Sequence, residues 1–89
     1  MDPSAAETLA LKALAHFAAD TDALLRFLSL SGLELQDLRK RAADPELLAA
    51  VIDFLLADEK LCAAFVEDEN IQPQLLHAAR RALPGAGES

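Results

Sequence analysis

Asp44-Pro45-Glu46-Leu47-Leu48-Ala49-Ala50-Val51-Ile52-Asp53-Phe54-Leu55-Leu56-Ala57-Asp58 is the stretch whose reading decides the fold. Asp44 is an N-cap residue, Pro45 suits the first helical position, and Glu46 puts acid in the first turn. The run from Leu47 to Ala57 is apolar almost all round; the least apolar strip is Glu46, Ala49, Ala50, Asp53 and Ala57. A helix of this kind must be wrapped by others, so the spacing predicts the central, most buried element of a helical bundle. It is too short to cross a bilayer, and Asp53 interrupts it.

The composition agrees. Hydrophobic residues make up 53 % of the 89 residues, mostly Ala and Leu, and only 4 % are aromatic. These are strong helix formers. β-Branched residues are confined to Val51, Val66, Ile52, Ile71, Thr8 and Thr21, too few to build a sheet. The fold class is therefore all-α, a single domain over residues 1–84 followed by a frayed tail, 85–89.

Working outward, Asp58 caps a fifth helix carrying Leu61, Cys62, Phe65 and Val66, and Asn70 ends it in the left-handed conformation. A sixth begins near Pro73, carries Leu75, Leu76, Ala79 and Leu83, and stops before Pro84-Gly85. Towards the N-terminus, Ser4 with Glu7 three residues on has the pattern of a capping box. The buried stripe of that first helix is Ala6, Leu9, Ala10, Ala13, Leu14 and Phe17, and the helix ends near Ala19. Asp20 caps a second, with Leu24, Phe27, Leu28 and Leu30 apolar and Asp22, Arg26 and Ser29 opposite. Gly32 supplies the positive φ of a helix end. A third helix runs from about Leu35 to Ala43.

An offset of 38 residues superposes Asp20 on Asp58, Phe27 on Phe65, Gly32 on Asn70, Leu33 on Ile71 and Leu38 on Leu76. The same offset matches Leu9 with Leu47, Leu14 with Ile52 and Phe17 with Leu55. Caps, helix ends and apolar stripes fall in step, the pattern of two similar three-helix units in tandem, about 6–43 and 44–83.

The formal charge of −7 at pH 7 sets a field that repels phosphate backbones and anionic lipids. One cysteine, Cys62, excludes an internal disulfide, and the start Met1-Asp2-Pro3-Ser4 is unlike a secretory signal. A cytoplasmic protein is expected.

Catalytic material is sparse. His16 and His77 share no ligand spacing with Cys62. His16 beside the first stripe reads as a structural histidine, His77 as a cation near a helix end, and Cys62 as a small core hydrophobe. Asp20 and Asp22 begin like a calcium loop, but Leu24 and Leu25 stand where a ligand and the turning glycine belong. No cofactor or metal is expected. Two charged groups stand out as partner-binding candidates: Arg39-Lys40-Arg41 at the end of the third helix, and the acidic run Glu67-Asp68-Glu69. Leu28, Gly32 and Leu38 also have helix-turn-helix spacing, with Gln36, Arg39, Lys40 and Arg41 on the second helix. The acidic total disfavours nucleic acid.

Four strings add a resemblance: Ala6 to Leu14 (AETLALKAL), Phe27 to Leu33 (FLSLSGL), Asp37-Leu38-Arg39, and Asp53 to Glu59 (DFLLADE). They resemble a family of short alphaproteobacterial proteins known only as a domain of unknown function. The resemblance extends to about Pro84 and implies a bacterial cytoplasmic protein; it implies no catalytic residue, cofactor or substrate. Glu34-Leu35 replaces the Asp-Pro helix start that such proteins often carry after the Gly-Leu. The expectation is a non-enzymatic interaction or regulatory module, acting as monomer or homodimer on another protein. The alternative is a helix-turn-helix nucleic-acid binder.

Overall fold

In a computed structural model, residues 1–84 are described; the tail expected at 85–89 lies outside them. Six helices succeed one another: α1 Pro3–Ala18, α2 Thr21–Ser31, α3 Leu35–Lys40, α4 Pro45–Ala57, α5 Glu59–Glu69 and α6 Pro73–Arg81. Three side-chain caps form as expected. The Asp20 carboxylate accepts from the amides of Asp22 and Ala23, Asp44 from Glu46, and Asp58 from Leu61.

α1 starts earlier than the Ser4 cap implied. Asp2 is extended (φ −66°, ψ 138°), Pro3 occupies the first turn, and the Ala6 amide donates to the Asp2 carbonyl at 3.0 Å. Proline disfavours a helical predecessor and pre-sets its own φ, so Pro3 rather than Ser4 places the boundary. α3 ends earlier than expected, at Lys40 instead of Ala43. Asp44 must be extended before Pro45 (φ −72°, ψ 118°), so the chain has to leave the helix. The Asp44 amide closes that turn by donating to the Arg41 carbonyl at 2.9 Å.

α4 is the centre. It packs against α1, α2, α5 and α6, and it buries Leu47, Leu48, Ala49, Val51, Ile52, Phe54 and Leu55. Ala49 is thus inside, not on the exposed strip, because four neighbours leave only Glu46, Asp53 and Ala57 open, with Ala50 half-covered. Across from α4, α1 contributes Ala6, Leu9, Ala10, Ala13 and Phe17. The core is entirely Ala, Leu, Ile, Val and Phe, with no buried polar side chain among the described residues. Three rings tie α1, α2 and α4 together. Phe17 lies 5.2 Å from Phe27 and 5.1 Å from Phe54, and Phe27 lies 5.4 Å from Phe54, all tilted or edge-on. Such geometry adds about 0.5–1.5 kcal/mol per pair beyond area burial.

At the 38-residue offset two of the three helix pairs start in step, whereas α1 and α4 start 42 residues apart (45 − 3). α2 and α5 both span eleven residues, starting at 21 and 59, and α3 and α6 start at 35 and 73. Gly32 (φ 74°) and Asn70 (φ 54°) are the two positive-φ residues among those described, and each terminates its helix. A Cβ at Gly32 would meet nothing within 4 Å, so only backbone strain opposes a side chain there. Gly32→Ala is expected to cost about 1–2 kcal/mol, the penalty of the left-handed conformation. Urea unfolding checks this, and an unchanged midpoint would mean that the helix end is not held in that conformation.

Candidate functional site

Arg39 and Lys40 project from the last turn of α3 and are exposed. Arg41, the C-cap, is engaged: its Nε and Nη2 donate to the Asp44 carboxylate at 3.2 and 2.7 Å. That hydrogen bond and charge hold the Asp44 carboxyl below the usual aspartate range and push the Arg41 guanidinium up. Gln36 is also occupied, its amide nitrogen donating to Glu34 Oε2 at 2.8 Å. Two of the four side chains that a helix-turn-helix reading would aim at bases are therefore spent locally, on a helix of six residues.

The acidic run divides. Asp68 Oδ2 lies 3.3 Å from His16 Nδ1, and Glu69 lies 3.8 Å from Lys12 Nζ, so both turn back onto α1. Glu67 is exposed without such a partner among the described residues. No hydrogen bond or ion pair among the described residues joins the run to the basic end of α3.

His16 and Cys62 pack against the core. His16 meets the Phe65 ring edge-on at 5.4 Å. Cys62 is half-buried against the core, and burial pushes its thiol up. His77 is exposed on α6. Among the described residues no group of three or more His, Cys, Asp or Glu could hold a metal ion. No helix is long and apolar enough to cross a membrane, among the residues described.

Two cross-helix pairs were not legible in local spacing. Arg26 donates to Asp58 at 2.8 Å, joining α2 to the α5 cap, and Arg80 donates to Asp53 at 2.6 Å, joining α6 to α4. The Leu61 amide and Arg26 together hold the Asp58 carboxyl below its ordinary range. A depressed carboxyl contributes stability that is complete above the unfolded value, near pH 4, and lost as pH falls through the folded one. Asp58 and Asp44 act alike, so the urea midpoint should stay flat from about pH 5 to 8 and drop below about pH 4. Asp58→Ala should cost about 0.5–2 kcal/mol at neutral pH as a lost cap and shrink the acid-side drop. An acid limb unaltered in that variant would contradict the assignment.

One surface feature escaped the sequence reading. Leu30, expected among the apolar positions of α2, is 78 % exposed, the most exposed of the large hydrophobic residues described. It falls at the margin of the stripe that Ala23 and Phe27 bury, beside α4. With Phe27 and Ser31 it forms one wall of an open groove of about 270 Å³, and Ala50, Asp53, Phe54 and Ala57 of α4 form the other. Arg26 lies over the Phe54 ring, its guanidinium carbon 5.6 Å from the ring centre. The groove is thus carbon-lined, with charge at its rim.

These observations define an all-α, six-helix domain built around one buried helix, with an apolar groove between α2 and α4. The chain belongs to the family described as "Protein of unknown function (DUF3572)", whose model matches residues 3–86. Comparison with curated proteins and with solved structures gave no match.

Proposed function

We propose that this protein is a non-enzymatic interaction module, a bacterial cytoplasmic adaptor or regulator that works by holding another protein. The supporting observation is the α2–α4 groove. Leu30 stands in solvent beside Phe54, Ala50 and Ala57, although the rest of the apolar α2 stripe is packed. Scattered single leucines on a surface need no explanation, but an exposed leucine on the lip of a carbon-lined groove is the composition of a partner site. The exposed Arg39 and Lys40 of α3 and the exposed Glu67 of α5 are proposed as separate, secondary contacts away from the groove.

The test is affinity capture from lysate of the native host, with and without nuclease, read by mass spectrometry. A protein retained specifically after nuclease treatment supports the module. Loss of every partner on nuclease treatment would overturn it in favour of nucleic acid, as would affinity for nucleic acid that falls steeply with salt.

A further inference from the structure

We propose that the α2–α4 groove docks one helix of a partner protein, an amphipathic helix with basic residues flanking its apolar stripe. This deepens the interaction-module reading and rests on it.

The other half of the molecule carries a matching face. Shifted by 38 residues, the groove residues Phe27, Leu30, Ser31, Ala50, Asp53, Phe54 and Ala57 become Phe65, Asp68, Glu69, Lys12, Ala15, His16 and Ala19. The geometry carries over. Phe27 meets Phe54 at 5.4 Å and 69°, and Phe65 meets His16 at 5.4 Å and 68°. α2 packs on both α1 and α4, and α5 likewise on both α4 and α1. The two faces differ in what closes them. Between α5 and α1, His16 reaches Asp68 and Lys12 reaches Glu69, so that face is spanned by the chain's own polar pairs. Between α2 and α4 the same places hold Phe54 with Leu30 and Ala50 with Ser31, which span nothing. Equivalent positions therefore present one face closed by polar pairs and one closed only by the Phe27–Phe54 rings and by Arg26 over Phe54, with Leu30 left in solvent.

Charge selects the occupant. The α4 wall of the groove carries one carboxylate, Asp53, held by Arg80 through Oδ1 but more than half exposed, and Glu46 lies exposed one turn before Ala50, outside the lining. The arginines of α2 and α6 beside it are paired, Arg26 with Asp58 and Arg80 with Asp53 itself, so the attraction rests on the charge of the whole chain. The whole chain has 15 acidic against 8 basic residues. A second copy would bring another −7 to the contact, and an anionic lipid surface would be repelled in the same way. A basic partner is drawn in. Shape selects a helix: the α4 wall runs from Ala50 to Ala57, about two turns, which matches anchors spaced i, i+3 or i+4 and i+7.

The probe is a synthetic basic amphipathic helix of roughly five turns, with leucines on one face and lysines elsewhere. Its controls are an isomer of identical composition with the leucines dispersed and a version with glutamate in place of lysine. Binding to the full chain is read by fluorescence anisotropy. The amphipathic basic peptide should bind at least about tenfold tighter than either control. Leu30→Asp should remove that preference, whereas Leu25→Asp, at an exposed position elsewhere on α2, should change the affinity less than about twofold. Both positions are exposed, and matching thermal unfolding curves will confirm that the variants fold. Equal binding of the dispersed isomer, or a Leu30→Asp protein that binds as before, overturns the proposal. So does a dimer in sedimentation that Leu30→Asp dissolves, since the occupant would then be a second copy. Host-lysate capture separates the two levels. A nuclease-resistant partner still captured by Leu30→Asp leaves the module standing and removes the groove; no captured partner removes both.

Discussion

Phe17→Ala is expected to remove about 3–5 kcal/mol of folding stability, the largest effect of any single truncation in this chain. Phe17 is 0 % exposed and touches both other rings of the cluster that joins α1, α2 and α4. Truncation loses the transfer free energy of the ring, opens a cavity where the central helix meets α1, and removes two aromatic contacts. A domain of this size sits near the lower end of the usual range of about 5–15 kcal/mol. The variant should therefore show a measurable unfolded fraction without denaturant. Urea titration followed by circular dichroism checks this; a midpoint close to that of the parent would mean that the ring cluster is not a core.

Leu55→Ala is expected to cost about 2–4 kcal/mol. Leu55 occupies on α4 the place that Phe17 holds on α1 at the 38-residue offset, and it too is 0 % exposed. Because α4 packs on four other helices, the damage should spread through the whole bundle. Unfolding should remain a single transition at a lower midpoint, with an unchanged denaturant slope. A second transition, or an unchanged melting temperature, would show that α4 is not the shared centre of one core.

What could be read from the sequence divides along physical lines. Asp20, Asp44 and Asp58 as caps, and Gly32 and Asn70 as helix ends, are local backbone chemistry, and each stands where its residue type implies. The burial of α4 came from having too little polar surface to face water. Where two local signals competed, the stiffer won: Pro3 set the start of α1 over the Ser4 capping box. Packing between distant segments was hidden. Nothing near Arg26 or Arg80 announces Asp58 or Asp53, which lie 32 and 27 residues away. The acidic run reads locally as a partner-binding patch, yet two of its three carboxylates reach His16 and Lys12 on α1. Leu30 illustrates the same limit. Its helical position puts it at the edge of the stripe, and only the placement of α2 against α4 decides whether that edge is covered.

The 38-residue offset shows why the candidate site was the least legible part. The offset was visible from caps and stripes, but its consequence lay in a difference between halves. The polar pairs between α1 and α5 have no counterpart between α2 and α4, where Leu30 and Phe54, and Ser31 and Ala50, stand in their places. That contrast emerges only when the faces are compared as surfaces, since Leu30 and Asp68 carry no signal separately.

The most direct test of the groove as the working surface is site-specific photo-crosslinking in the native host. A benzophenone side chain is placed at position 30, and in a parallel strain at position 25, which is exposed on the same helix. A groove that holds a partner predicts a discrete protein adduct from position 30 and none from position 25. An adduct from position 25 alone, or no adduct from position 30 while the protein is expressed and folded, would contradict it.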